Sequence, residues 1–260
     1  MTDALPTVAP RPSSEGAASP RQRWKAQTRM ELILTLRRGE SVLLTFAIPV
    51  LLLGFFSIVD VLPTGAADSV DFLFPGILAL AVMSTAFVSV AIATGFERQM
   101  GVLKRLGSTP LSRAQLLGAK TTAVVAIEAL QIVILSVEGL LLGFRFSAPA
   151  FGAALLAAAL ATVAFAGLAL LLAGTLPALT TLAAANGIYL VLLLFSGMLI
   201  PLAKLPAGLR AISQALPSTA LAEVFHGALG GAHIPGHAWV VLVAWAIVAP
   251  VLASRWFRWE

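Results

Sequence analysis

The chain predicts an all-α, polytopic membrane protein with six transmembrane helices, and three observations carry that expectation. Of its 260 residues, 59% are hydrophobic and only 11% charged, and the mean hydropathy is +0.95. Soluble domains need apolar faces; these proportions require apolar runs. Six such runs approach the roughly 20 residues that a helix needs to cross the hydrocarbon core. The basic residues are also divided unevenly between alternate loops. The chain has no cysteine, which excludes disulfides, thiolate metal sites and cysteine nucleophiles.

Taken in order, residues 1–20 are rich in Pro, Ser, Ala and Thr and read as a disordered cytoplasmic tail. They lack the apolar core of a secretory signal. Over residues 21–40, Trp24, Met30, Ile33, Leu34 and Leu36 alternate with Arg21, Arg23, Lys25, Arg29, Arg37 and Arg38. That mixture fits an amphipathic helix lying in the membrane interface, or else a charged lead-in that only fixes topology. Residues 41–260 form the transmembrane domain. Its expected spans are Ser41 to Val61, Phe74 to Phe96, Leu116 to Leu142, Ala150 to Leu176, Leu182 to Ile200 and Ala238 to Ala253. Only Pro177 to Thr181 join the fourth and fifth spans, so they form a tight hairpin. Trp239 and Trp256 bracket the sixth about 25 Å apart, close to one bilayer core.

Counting Lys and Arg on alternate sides orients the chain. Seven precede the first span, five lie between the second and third (Arg98, Lys104, Arg105, Arg113, Lys120), and Arg255 and Arg258 close the chain, making 14 of 17. Only Arg145, Lys204 and Arg210 fall on the other side. The bias places both termini in the cytoplasm of a cell-membrane protein. It also accounts for the net charge of +5 without a nucleic-acid partner.

The longest cytoplasmic connection, residues 97–113, carries a short helical pattern with Met100, Leu103 and Leu106 on one side. A turn follows at Gly107 to Pro110, then a fresh helix start capped by Ser112. So short a helix is marginal alone and needs a packing partner, unless the segment is a solvated basic loop. Its Glu97-Arg98, Val102-Leu103-Lys104-Arg105-Leu106 and Thr109-Pro110-Leu111-Ser112 resemble the signature of ABC type-2 exporter permeases. A second match, Ser196-Gly197-Met198-Leu199-Ile200-Pro201 followed by Leu205-Pro206, Leu216-Pro217 and Ala222-Glu223, is similar to that family's outer pattern. Val102 stands where Thr is common.

The resemblance implies a permease subunit that works as a dimer, with a second copy or a sister chain, in the lipid bilayer. ATP and magnesium would sit on separate ABC ATPase subunits, with no cofactor on this chain. Glu97, Arg98, Leu103, Lys104, Arg105 and Leu106 would contact the ATPase. Ser196, Gly197, Pro201 and Glu223 would form the outer gate, although a hydrated surface carboxylate suits Glu223 equally. The residues agree on one point. Gly118-Ala119-Lys120-Thr121 lacks the glycines that let backbone amides cradle phosphate, so any ATP belongs to a partner.

Residues 201–236 contain Pro201, Pro206, Pro217 and Pro235. Their apolar stretches, Leu209 to Leu216 and Thr219 to Leu229, are too short to cross and suggest a re-entrant or interfacial helix pair. Glu128, Gln131 and Glu138 interrupt the third span. A charge at mid-depth costs about 2.5 to 3.5 kcal/mol and faces a cavity or a partner rather than lipid. Glu128 and Gln131 are therefore candidates for the translocation pathway or dimer interface. A packing role held by Thr121, Thr122 or another helix's hydroxyl remains open. Asn186, Tyr189 and Ser196 share one face of the fifth span and are further pathway candidates. Pro235 and Gly236 between His233 and His237 argue against a helical zinc pair. An alternative from another class is a proton-coupled secondary transporter using Glu128 and Glu138, although no internal repeat supports it.

Overall fold

The computed structural model describes residues 19–257 apart from 38, 60–68, 110, 146–147 and 232. Residues 1–18 of the expected N-terminal tail, Asp60, Asp68, Pro110 and the final three residues thus lie outside the described residues, whereas Ser19 and Pro20 already belong to the start of the first helix. Among the described residues the chain is helical, with no strand.

Helix α1 (Pro20–Arg37) opens with a reciprocal cap in which Gln22 N–H donates to Ser19 Oγ and Ser19 N–H donates to Gln22 Oε1. Its inward stripe is Trp24, Thr28 and Glu31, and it lies mainly on α6. Met30 and Leu36, expected on the apolar face, are half exposed. Helix α2 (Gly39–Ile58) meets the first expected span. Among the described residues, five helices are long and apolar enough to cross, Val70–Gln99, Ala114–Leu141, Phe151–Thr175, Ala178–Phe195 and Gly236–Trp256, and α2 contributes the apolar helical segment Thr45–Ile58.

The second span is the central helix, made of α3 (Ser69–Met83), a π-helical turn (Ser84–Ser89) and α4 (Val90–Gln99). It is buried along most of its length. Gly101, at φ 70, ends it and starts the short α5 (Val102–Gly107). The hydroxyls of Ser108 and Thr109 close α5 on the carbonyls of Arg105 and Leu106. Helix α6 (Arg113–Leu141) begins at the expected cap, with a capping box between Ser112 and Gln115.

The alanine-rich α7 (Ala148–Thr175) packs most extensively on α11 (Gly236–Trp256). Small residues permit the approach: a Cβ on Gly167 would stand 2.6 Å from Pro250 N, and one on Gly174 2.6 Å from Phe257 Cδ2. Helix α8 (Ala178–Phe195) stops short of the expected end at Ile200. Its last turn closes by a bond from Ser196 Oγ to Leu193 O, and Gly197 turns the chain at φ 78. Helix α9 (Ala207–Ser213) is tied by Arg210, which donates to the carbonyls of Leu202, Ala203 and Leu205. Helix α10 (Pro217–Leu229) is short and buried almost throughout, against α3, α7 and α11. By contrast α6, α8 and α11 present wide apolar faces, including Val133, Leu194 and Val240.

Candidate functional site

Three groups of polar residues stand out at successive levels of the bundle. At the end carrying α5, Lys120 Nζ lies 2.6 Å from Glu97 Oε2 and 3.0 Å from Glu31 Oε2. All three residues are less than 9% exposed. A lysine inside an apolar helix is costly unless carboxylates meet it, and here the carboxylates come from two other elements, α1 and α4. Gln27 Nε2 donates to Glu31 Oε1 and orients it. Beside the triad, Arg98 Nη2 donates to Leu176 O in the α7–α8 hairpin, which also accepts from Thr181 Oγ1. The foot of α4 is thus fastened to α1, α6 and α7–α8.

The six expected ATPase-contact residues therefore divide. Glu97, Arg98 and Leu103 point inward, Leu103 being fully buried, whereas Lys104 and Arg105 are exposed and Leu106 is half buried. Met100 is 61% exposed beside them. The surface offered outward is a small basic and apolar ridge standing on an internally braced base.

At mid-depth, Glu128 is buried and its Oε2 accepts from Thr162 Oγ1 of α7. The hydroxyls of Thr121 and Thr122 turn back to Leu117 O and Gly118 O of their own helix. Gln131 is buried as well. Its Oε1 accepts from Thr85 Oγ1 at 2.9 Å, and its Nε2 donates to Thr45 O at 3.0 Å, joining α6 to the π-helical turn and α2. Neither residue is among those lining the main cavity, and within one chain both hold helices together. Glu138 lies further along α6, its Oε1 3.2 Å from the position a Cβ on Gly54 would take.

The main cavity, about 500 Å³, lies between α1, α2, the central helix, α6 and α8. Asn186 and Tyr189 line it, with Thr45, Ser84, Thr85, Ser89 and Thr94. Glu31 and Lys120 line it too. The π-helical turn contributes several of these hydroxyls, as such turns do at functional sites. Asn186 Nδ2 donates to Leu182 O of its own helix.

A second pocket, about 420 Å³, gathers all four expected outer-gate residues, Ser196, Gly197, Pro201 and Glu223, around His226 and Phe72. Helix α10 covers the unpaired end of α8: Ser218 Oγ donates to Leu192 O and Thr219 Oγ1 to Phe195 O. His226 Nε2 lies 3.3 Å from Gly197 O, with its ring stacked on Phe72 at 4.5 Å. Burial pushes His226 down to about 4, against the bond to Gly197, which acts the other way. Glu223 Oε2 lies 3.0 Å from His237 Nε2; burial raises the Glu223 carboxyl, and His237 opposes the rise. Ser196, expected on the pathway face of α8, is instead buried in this turn, accepting from Met198 N–H.

Sequence reasoning missed Glu31, Lys120, Thr162 and His226 as partners. Lys120 carried a signal, since a lysine inside the third expected span needs carboxylate partners. Thr162 carried none, because a threonine in an alanine-rich run gives no hint of the carboxylate it meets.

A family model described as ABC-2 type transporter matches residues 22–229, which include α5, the triad and the second pocket's Ser196, Gly197 and Glu223. No curated protein matches the chain.

Proposed function

The chain belongs to the ABC-2 type transporter family, and on that premise we propose that it is the permease subunit of an ATP-driven exporter. Membership makes it a multi-pass membrane transport component and implies partnership with ABC ATPase subunits. In the reading we favour, six spans cross the cell membrane with both termini in the cytoplasm, and α9 and α10 form an outer re-entrant pair. Two permeases face each other across the pathway. ATP and magnesium are held by the partner, whose closure pushes on α5.

One observation carries this reading: the exposed ridge of Met100, Lys104 and Arg105 stands beside Glu97 and Arg98, which reach into three other parts of the bundle. A push on that ridge is delivered to several helices at once, as rigid-body coupling requires. Asn186 and Tyr189 serve as substrate-facing residues, and Glu128 and Gln131 hold the bundle in register. The largely apolar cavity with scattered hydroxyls suits drugs, lipids or other amphipathic molecules. Family membership gives no support to the proton-coupled alternative, and Glu128 is engaged in helix packing.

The test is transport in sealed vesicles containing the chain and its ATPase. Efflux of an amphipathic dye that requires ATP and is blocked by vanadate is the expected result. Transport driven by a pH gradient without ATP would overturn the reading.

A further inference from the structure

The main cavity extends along the central helix from Leu80 to Thr94, about 20 Å at 1.5 Å per residue. At the end nearest α5 its wall includes Glu31 and Lys120, the same pair whose lysine also holds Glu97. Thr94, which is fully buried and lines the cavity, lies three positions before Glu97 on the same helix. Thr94 Oγ1 is buried and has no hydrogen-bond partner among the described residues. Thr94 thus shares the cavity wall with the ion pair that joins α1 to α6.

We propose that the Glu31–Lys120 pair is the inner gate of this cavity, with Lys120 as the positioning residue that links the gate to α5 through Glu97. The link to α5 rests on the coupling role proposed above; the gate itself does not. The pair joins two elements that have no covalent connection at that point, so α1 can part from α6 while Lys120 remains on Glu97. Breaking one of two bonds to the same ammonium exposes the cavity's hydroxyl-lined wall and leaves the lysine paired. Gln27 sets the orientation of Glu31 from within α1, so it tunes the gate without carrying charge.

The chain lacks cysteine, so a single introduced thiol reports on the gate. Thr94→Cys lies in the cavity, and Ala164→Cys, equally buried on α7 but away from the cavity, reports general loosening. The chain alone, in nanodiscs, is treated with a membrane-impermeant maleimide. We expect the cysteine at 94 to react at least tenfold faster when Glu31→Gln is added. Glu31→Asp should leave it slow, and the cysteine at 164 should stay slow throughout. Gln27→Leu, which leaves every charge in place, should give an intermediate rate and serves if Glu31→Gln proves unstable. Equal rates at 94 with and without the gate substitutions, or equal acceleration at 94 and 164, would overturn the proposal. Neither outcome bears on whether an ATPase partner exists, which copurification tests separately.

Discussion

Lys120 and Glu97 form a buried ion pair 2.6 Å long between α6 and the foot of α4, just before the short basic helix. Lys120 is shared with Glu31, so Lys120→Gln leaves two buried carboxylates uncompensated at a cost of about 3 to 5 kcal/mol, whereas Glu97→Gln leaves the ammonium on Glu31 and costs less. Glu97→Gln and Lys120→Gln should each lower the thermal midpoint in detergent. The double variant should lose less than the sum, with a coupling of about 1 to 3 kcal/mol. Additive losses would show that the pair does not hold these helices.

Glu128 is braced by Thr162 across α6 and α7. Glu128→Gln keeps an acceptor for the Thr162 hydroxyl and should retain both stability and transport. Thr162→Val, which leaves the carboxylate without its partner, should cost about 1 kcal/mol in thermal unfolding. Loss of transport in Glu128→Gln with an unchanged melting profile would return this residue to the pathway.

Gly76 and Gly187 differ sharply in what a methyl group would meet. A Cβ on Gly76 would fall 1.9 Å from Met198 O, and one on Gly187 would meet nothing within 4 Å. Gly76→Ala must displace the Ser196 to Pro201 turn and should destabilise by more than about 2 kcal/mol. Gly187→Ala, inside a helix, should be neutral or stabilising by up to about 1 kcal/mol. Thermal unfolding of the two variants side by side decides this.

The second pocket gives a pH dependence of definite sign. His226 is held down to about 4 from its ordinary 6.5, so the folded chain binds fewer protons there than the unfolded chain does. Its contribution is fully present above about pH 6.5 and is lost as pH falls towards 4. The raised Glu223 carboxyl acts in the opposite direction, and Asp71, His233 and His237 lie nearby. Comparison with His226→Gln, which keeps an N–H for Gly197 O, isolates the histidine. The fall in thermal midpoint between pH 6.5 and 4.5 should be smaller in the variant; parallel curves would contradict the assignment.

Much of this architecture was legible because membrane helices advertise themselves by length and apolarity. The cap at Ser112 and the tight hairpin after Leu176 were equally local signals. The end of α8 was not, because Pro201 looked like the stop. The helix actually ends where Ser196 bonds back to Leu193 and α10 covers its carbonyls, a contact between segments 24 and 26 residues apart. Ser196, Gly197, Pro201 and Glu223 line one pocket, although the sequence separates Glu223 from the other three. At the other end, resemblance placed Glu97 on the surface, but pairing with a lysine 23 residues away turns it inward. Sequence spacing identifies which residues are polar, whereas tertiary pairing decides which of them remain exposed.

In the proposed coupling, α5 receives the stroke of an ATPase through its exposed bases, Lys104 and Arg105. Copurification of the ABC ATPase subunit with tagged chain, parent against Lys104→Glu/Arg105→Glu, tests it most directly. The partner should be lost from the variant while its thermal midpoint stays within about 2 °C of the parent's, since exposed charges contribute little to folding. An ATPase retained in full by the well-folded variant would contradict it.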